Sequence, residues 1–330
     1  MTRTARALWF TSAEESEIRT APLPEPGQGD VEVRTLFSGV SRGTETLVAR
    51  GGVPESQHGL MRAPFQEGDF PWPVKYGYLN VGVVEAGPPD LLGRAVFCLY
   101  PHQTRYVVPA TAVTPIPDTV PAARAVLAGT VETAVNALWD AAPLLGDRVA
   151  VVGGGMVGCA VAALLAGFPG VQVQLVDTDP TRATVAAALG VGFAAPETAD
   201  LDRDLVIHAS ATAAGLTRSL ELLRPEGRLI ELSWYGDRPV SVPLGEFFHS
   251  RRLTIRASQV GVVARPDRTY RERMAVALDL LADPRFDALI TGECAFDDLP
   301  EVMPRLARDE IRALCHRVDY SAVDYAAAGD

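Results

Sequence analysis

The sequence predicts an α/β protein in which a β-rich front precedes a doubly wound parallel sheet. Three observations carry that expectation. Residues 149–152 form a short apolar run ending in Gly153-Gly154-Gly155-Met156-Val157-Gly158, and the helix-like Cys159-Ala160-Val161-Ala162-Ala163-Leu164-Leu165 follows. A second apolar run, Val171-Gln172-Val173-Gln174-Leu175-Val176, ends in Asp177. The texture of the chain changes after Ile116-Pro117-Asp118, from short alternating strands to strands interleaved with helices, as in a parallel sheet.

Each residue of the glycine loop has a physical reason. Gly153 permits the tight turn out of the strand, Gly155 lets the backbone approach a pyrophosphate, and Gly158 lets the helix lie against the strand. Gly154, Met156 and Val157 complete the turn into a helix whose N-terminus offers free N–H groups and a positive dipole end to phosphates. Asp177 stands roughly 20 residues further on, where a ribose-binding carboxylate belongs. A carboxylate there accepts from two ribose hydroxyls and repels a 2′-phosphate, which favours NAD(H) over NADP. Arg182 reads as a helix-surface residue. The bland alternative is a Gly-rich turn that binds nothing.

Composition bounds the rest. A chain of 330 residues fits about two domains and can bury a large core. No apolar run approaches the ~20 residues of a membrane span, and the opening residues, with charge returning by Glu14, offer no core of a secretory signal. A net charge of −11 argues against nucleic acid and anionic membrane as partners. Cys98, Cys159, Cys294 and Cys315 are widely spaced, without metal-binding spacing, which implies a reduced, cytoplasmic protein lacking a structural zinc.

Along the front, residues 6–10, 30–37, 81–85, 94–99 and 105–108 read as strands, and residues 38–45 as a polar loop. Residues 50–72 are irregular and Gly/Pro-rich. A loop of that length is more often functional than accidental, and Gln57, Arg62, Gln66 and Trp72 with Arg42 suggest a pocket wall. Beyond residue 118, helices are expected at 122–127, 132–141, 213–223, 270–281 and 297–306. Another begins at Asp179-Pro180 and closes at Gly190. Strands are expected at 205–208, 228–232, 240–242 and 253–255.

The β-rich front, late Gly-x-Gly-x-x-Gly and short tail together resemble the medium-chain dehydrogenase/reductase superfamily over nearly the whole chain. Ser38-Gly39-Val40-Ser41 is similar to its Ser-Gly-x-Cys segment. Residues 77–85 resemble its Gly-His-Glu-x-x-Gly-x-Val strand, Glu132-Thr133-Ala134 the segment whose Thr touches nicotinamide, and Asp297-Asp298-Leu299-Pro300 its near-terminal helix start. The resemblance implies a GroES-like catalytic domain at 1–117 and 259–330, a Rossmann domain at 118–258, and a homodimer joined through residues 253–258. The departures are informative. Zinc-dependent members hold their metal with Cys, His and an acid, and Ser41, Tyr78 and Leu79 stand at those positions. Ser and Tyr are poor zinc ligands and Leu cannot bind, so no catalytic metal is expected. The string from Ser38 to Glu45 is similar to that of the bacteriochlorophyllide 3-hydroxyethyl dehydrogenases, a zinc-free branch.

Reduction of a carbonyl by hydride leaves an alkoxide that some group must stabilise or protonate. Without zinc, Tyr78 is the first candidate, with Lys75 to lower its pKa by charge and Glu45 nearby to orient Arg42 or bind substrate, the bland alternative being an ion pair with that arginine. His102 is a second acid candidate. Ser41, Arg42, Thr44, His102 and Trp234 are candidate substrate contacts. Thr133, Ser210 and Ser233 join the glycine loop and Asp177 as candidate cofactor contacts, since ligands lie beyond the carboxyl ends of such strands. His208 reads as structural, and His58 as a lid residue or merely exposed. The implied activity is NAD(H)-dependent interconversion of a secondary alcohol and a ketone on a small polar or aromatic substrate. The rivals are reduction of an activated C=C bond and a non-catalytic NADH-binding protein.

Overall fold

The computed structural model describes residues 3–325. Contacts divide the chain into two compact units, Met1–Gly129 with Ile290–Asp330, and Thr130–Leu289. In chain order the first unit opens with β1 (Thr4–Ser12), β2 (Glu15–Pro22), β3 (Asp30–Ser41), α1 (Arg42–Ala49), β4 (Glu67–Gly68), β5 (Val74–Lys75), β6 (Asn80–Ala86), β7 (Ala95–Cys98), β8 (Arg105–Pro109), β9 (Val113–Pro115) and α2 (Ala122–Ala125). Helix α3 (Ala128–Ala141) leads into the second unit. That unit holds β10 (Arg148–Val152), α4 (Met156–Leu165), β11 (Gln172–Val176), α5 (Arg182–Leu189), β12 (Gly192–Ala194), β13 (Arg203–His208), α6 (Ala213–Leu222), β14 (Leu223–Glu231), β15 (Thr254–Ala257) and α7 (Tyr270–Leu280). The chain returns to the first unit with β16 (Ile290–Ala295), α8 (Leu299–Ala307) and β17 (Cys315–Asp319).

The first unit is built on β3. Its buried Val31, Val33 and Val40 sit on a strand that pairs antiparallel with β6, β8 and β17. The larger sheet runs β16-β17-β3-β6-β7-β9, and a smaller one runs β2-β1-β5-β4. One core cluster gathers Val31, Val33, Val84, Val96, Tyr106 and Val108. The tail strand β17 puts Tyr320 and Cys315 against the front's polar centre, described below.

The second unit is a six-stranded sheet in the order β12-β11-β10-β13-β14-β15. Every neighbouring pair is parallel. Strand order reverses at β10, between β11 and β13, and ligands of open α/β sheets lie beyond the strand ends at such a switch. Val152, Val206, Leu229, Leu220 and Leu222 form its core. Fully burying each such aliphatic side chain stabilises by about 1.5–3 kcal/mol.

Four expectations need revision. The return to the first unit comes at Ile290, not residue 259. Helix α7 and the segment before it are held to α3 by Arg273, whose guanidinium donates to Glu132 at 3.1 Å, Asn136 at 2.5 Å and the carbonyl of Val260 at 2.7 Å. Residues 38–45 are no loop: β3 continues through Ser41 and α1 starts at Arg42. Residues 240–242 form no strand. Pro243 has no N–H to give a ladder, and Val240 instead packs on the sheet core. Helix α5 starts at Arg182 rather than at Pro180, while Asp179 accepts from the N–H of Thr181 at 3.0 Å. Gly190 closes α5 in the left-handed conformation, φ 76°.

No helix among the described residues is long and apolar enough to cross a membrane. The cysteines are free thiols, and burial pushes each of them up to about 12, which makes them inert as nucleophiles at neutral pH.

Candidate active site

In the first unit the end of β3 and the start of α1 deliver Ser38, Ser41, Thr44 and Glu45 to one place. Glu45 is fully buried. Its Oε1 accepts from the N–H of Ser41 at 2.7 Å, so a carboxylate closes the helix N-terminus, where the dipole favours it. Its Oε2 lies 2.8 Å from Nε2 of His102. On the other side of the ring, Nδ1 of His102 meets Ser38 Oγ at 2.7 Å, and Ser38 meets Tyr320 Oη at 3.0 Å. A carboxylate only accepts, so Nε2 carries the proton toward Glu45. His102 is 1 % exposed. It is therefore held by side chains at the centre of a buried chain, not by backbone and not in reach of substrate.

Tyr78 follows Gly77, whose φ of 133° only glycine adopts freely. A Cβ at Gly77 would come within 3.0 Å of the His102 ring. The glycine thus lets the chain pass over His102 and present Tyr78. Tyr78 is half-buried, its ring edge-on to Tyr76 at 6.1 Å. Its hydroxyl donates to Ser41 Oγ at 2.7 Å. Burial and the nearby Glu45 carboxylate push the phenol up to about 12, against its hydrogen bonds with Ser41 and Thr44. The phenol is consequently neutral throughout the physiological range.

The remaining first-unit candidates fall elsewhere. Lys75 is buried, but its ammonium is engaged by Glu67 and by Gln103 Oε1 at 2.7 Å, over the ring of Tyr100. It is not among the charges that act on Tyr78. Lys75 is therefore no activator of that phenol: β5 turns its side chain to the other strand partners. Arg42 pairs with Asp309 at 2.7 Å rather than with Glu45. Arg62 pairs with Asp69 at 2.6 Å, and Gln66 accepts from the N–H of Ala63 at 3.2 Å, so these two side chains of the 50–72 loop bond within the loop itself. His58 is tied to the carbonyl of Val53 at 3.0 Å.

A zinc ion does not fit the positions that the family resemblance assigns to it. Ser41 and Tyr78 hydrogen-bond each other, and Leu79 is fully buried, packed where Cβ atoms on Gly39 or Gly129 would touch it. Among the described residues no group of three or more His, Cys, Asp or Glu side chains is placed to hold a metal ion.

In the second unit the glycine loop follows β10. Gly153 adopts φ 108°, its N–H donates to the carbonyl of Val176 at 2.8 Å, and a Cβ there would meet the Ser210 nitrogen at 2.6 Å. A Cβ on Gly158 would lie 1.9 Å from the Gly153 carbonyl oxygen, so α4 approaches β10 only without a side chain. Gly155, the N-cap of α4, has open space in front of its Cα. Met156 is buried and Val157 half-buried. This is a cradle a pyrophosphate fits. Asp177 accepts from the N–H of Gly154 at 2.6 Å and of Asp179 at 2.8 Å, which orients the carboxylate and leaves lone pairs for ribose hydroxyls. Arg182 is not on the solvent face: its side chain is 12 % exposed, packs beside Gly154 and pairs with Asp179 at 3.6 Å.

Thr133 is half-buried on α3, next to the Glu132–Arg273 pair. Ser210 and Ser233 follow β13 and β14. Ser233 Oγ accepts from the N–H of Ala211 at 3.1 Å, and Ser210 Oγ lies 2.7 Å from His208. Trp234 is half-buried in the turn after β14. Sequence reasoning missed Ser38 and Tyr320, which complete the His102 chain, and Glu231, which accepts at His208 Nδ1 at 2.7 Å.

Comparison with known proteins bears on this geometry. No family model matches the chain. It is 28 % identical over 298 residues, 84 % of this chain and 90 % of the relative, to a 2-desacetyl-2-hydroxyethyl bacteriochlorophyllide A dehydrogenase of Rhodobacter capsulatus. Its fold is similar to that of a putative zinc-binding dehydrogenase of Sinorhizobium meliloti bound to NADP, with TM-score 0.77, 17 % identity and 96 % and 99 % of the two chains covered. It is equally similar to acetophenone reductase of Geotrichum candidum in complex with NAD, with TM-score 0.77, 17 % identity and 98 % and 99 % covered. A β-rich unit interrupted by a parallel six-stranded sheet with a Gly-x-Gly-x-x-Gly loop is the fold that the chain shares with these dehydrogenases.

Proposed function

We propose that the chain is a zinc-independent, NAD(H)-dependent dehydrogenase that interconverts a secondary alcohol and a ketone on a small polar or aromatic substrate. The observation that carries this reading is the 2.7 Å contact between Tyr78 Oη and Ser41 Oγ. Two hydroxyls face each other where the superfamily resemblance assigns metal ligands, and the third such position is a buried leucine.

The nicotinamide, when bound, supplies or accepts the hydride. The residues supply the proton and its stabilisation. In ketone reduction Tyr78, neutral because its phenol is held up to about 12, donates to the oxygen that becomes an alkoxide. The Ser41 and Thr44 hydroxyls, already bonding partners of that phenol, turn toward the oxygen left behind. Glu45 opposes a lasting phenolate by its charge, and the half-buried Tyr78 takes its proton back from water. Glu45 and His102 are positioning residues, since both are buried away from substrate. Glu45 fixes Ser41, and His102 with Ser38 and Tyr320 fixes Glu45.

Asp177 supports NAD(H), with its carboxylate aimed at the loop and Arg182 neutralised by Asp179. The name of the bacteriochlorophyllide relative, a hydroxyethyl dehydrogenase, supports alcohol chemistry beside an aromatic ring. The test is a fluorescence titration with NADH and NADPH, followed by turnover on aryl ketones, aliphatic ketones and enones. Tighter NADH binding with ketone reduction fits the reading. Turnover of enones alone, or NADH binding without any turnover, would replace it by one of the two rivals.

A further inference from the structure

The chain has eight tyrosines, and every one but Tyr76 bonds a protein partner through its hydroxyl. Tyr78 bonds Ser41, Tyr106 bonds Asn80, Tyr320 bonds Ser38, and the rest are likewise engaged. Tyr76 Oη has no hydrogen-bond partner among the described residues, although the residue is only 3 % exposed. A buried tyrosine usually finds a partner for its O–H. Nor is this oxygen sealed in the core. Among the described residues, the buried side-chain atoms without a partner are Trp72 Nε1 and the two ring nitrogens of His316. Solvent therefore reaches Tyr76 Oη while the ring beneath it is covered.

The ring is clamped on two sides. Phe70, itself buried, lies 5.8 Å away between centroids, and Tyr78 stands edge-on at 6.1 Å. Behind Phe70 is His58, at 5.5 Å. All of these residues belong to the first unit. The phenol of Tyr76 faces the same charges as that of Tyr78. Burial, Tyr78 and Glu45, in that order, hold it well above its ordinary value, so it is neutral and able to donate. Glu45 acts on Tyr78 in the same direction. A space-filling tyrosine whose oxygen met bulk water would explain the missing partner. It would not put that oxygen beside the Tyr78 phenol and the Glu45 carboxylate.

We propose that Tyr76 is a specificity-determining residue, whose hydroxyl donates to a second, uncharged oxygen of the substrate close to the carbonyl that Tyr78 protonates. The inference rests on the reading that Tyr78 faces the reacting oxygen. It narrows the substrate class to ketones that carry a hydroxyl or a further carbonyl near the reacting carbon. Glu45 excludes the anionic alternative, because a substrate carboxylate at Tyr76 would meet its negative charge. A site that offers a donor with no protein acceptor favours the ligand that brings one, and discriminates against the analogue that lacks it.

The experiment follows NADH-dependent reduction by the full chain of acetophenone, its α-hydroxy derivative and benzoylformate, in the wild type, Tyr76→Phe and Tyr78→Phe. The wild type should prefer the hydroxy ketone over acetophenone by about 5- to 10-fold in kcat/KM, the worth of one hydrogen bond, and turn benzoylformate over poorly. Tyr76→Phe removes an oxygen that no protein group bonds, so its melting temperature should stay that of the wild type. It should abolish the preference by raising KM for the hydroxy ketone with kcat kept, and change acetophenone by less than about twofold. A preference that Tyr76→Phe leaves intact overturns the proposal, as does a wild type that favours acetophenone or benzoylformate. An equal loss of kcat on every ketone in Tyr76→Phe also overturns it, since the residue would then act through Tyr78. In each of these cases a large loss of kcat in Tyr78→Phe keeps the reading beneath. Failure of the wild type to reduce any ketone removes both.

Discussion

Replacing Tyr78 by Phe removes one oxygen atom and leaves the ring, so it isolates the proton donor. The cost to the fold is small. The ring keeps its contact with Tyr76, and the loss is the hydrogen bond to Ser41 Oγ at 2.7 Å, worth about 0.5–1.5 kcal/mol. The cost to chemistry is larger: loss of a general acid lowers kcat by ~10²-fold or more, about 2.7 kcal/mol of barrier. The pH dependence separates this from a packing effect. With its phenol at about 12, Tyr78 is protonated at every working pH, so ketone reduction carries no alkaline limb from it. Alcohol oxidation in reverse needs the phenolate, of which there is about one part in 10⁴ at pH 8. Its rate should therefore rise about tenfold per pH unit between pH 7 and 10 in the wild type, and lose that slope in Tyr78→Phe. The assay is NADH absorbance in both directions, with thermal melts to confirm equal folding. An unchanged kcat and an unchanged slope would refute the role of Tyr78.

Three further outcomes are expected. Gly155→Ala fills open space in front of α4, so the melting temperature should barely move while NADH affinity drops by about tenfold or more, the cost of keeping the backbone from a pyrophosphate; unaltered affinity would mean that the loop holds no dinucleotide. Glu45→Ala strips a partner from a buried imidazole and the acceptor from the Ser41 N–H, and should cost about 3–5 kcal/mol in urea unfolding; a loss under about 1 kcal/mol would show that the buried chain does not hold the site. The homodimer expected through β15, whose outer edge pairs with no strand among the described residues, should elute at twice the monomer mass, and an elution volume of a monomer would dispose of it.

The parts of this protein that could be read from its sequence are those governed by local constraints. The glycine loop is one: strand, turn and helix N-terminus are consecutive, and each glycine answers a steric demand that a few neighbours impose. Gly153 and Gly158 meet at 1.9 Å if a Cβ is added, and no distant residue is needed to foresee it. The polar centre of the first unit was not legible in the same way. Tyr320 lies 282 residues from Ser38, and His102 lies 57 from Glu45; the pairing of β17 with β3 brings the first pair together, and the pairing of β8 with β3 carries the segment of His102 to the second. Lys75 shows the opposite error. Nearness in sequence to Tyr78 suggested a charge effect, but the turn at Gly77 separates their directions. The misplaced boundary at residue 259 has a related cause. The pattern of α7 shows that it has an apolar face but not which unit covers that face; the buried Arg273 bond to Glu132, across 141 residues, decides it.

The central claim is that hydroxyls, not a metal, handle the proton in the proposed dehydrogenase reaction. Its most direct test is to measure zinc in the purified chain by mass spectrometry alongside NADH-dependent ketone turnover, before and after treatment with a strong chelator. The account predicts zinc far below one ion per chain and turnover that the chelator leaves intact. About one zinc per chain, whose removal abolishes turnover and whose return restores it, would contradict the account.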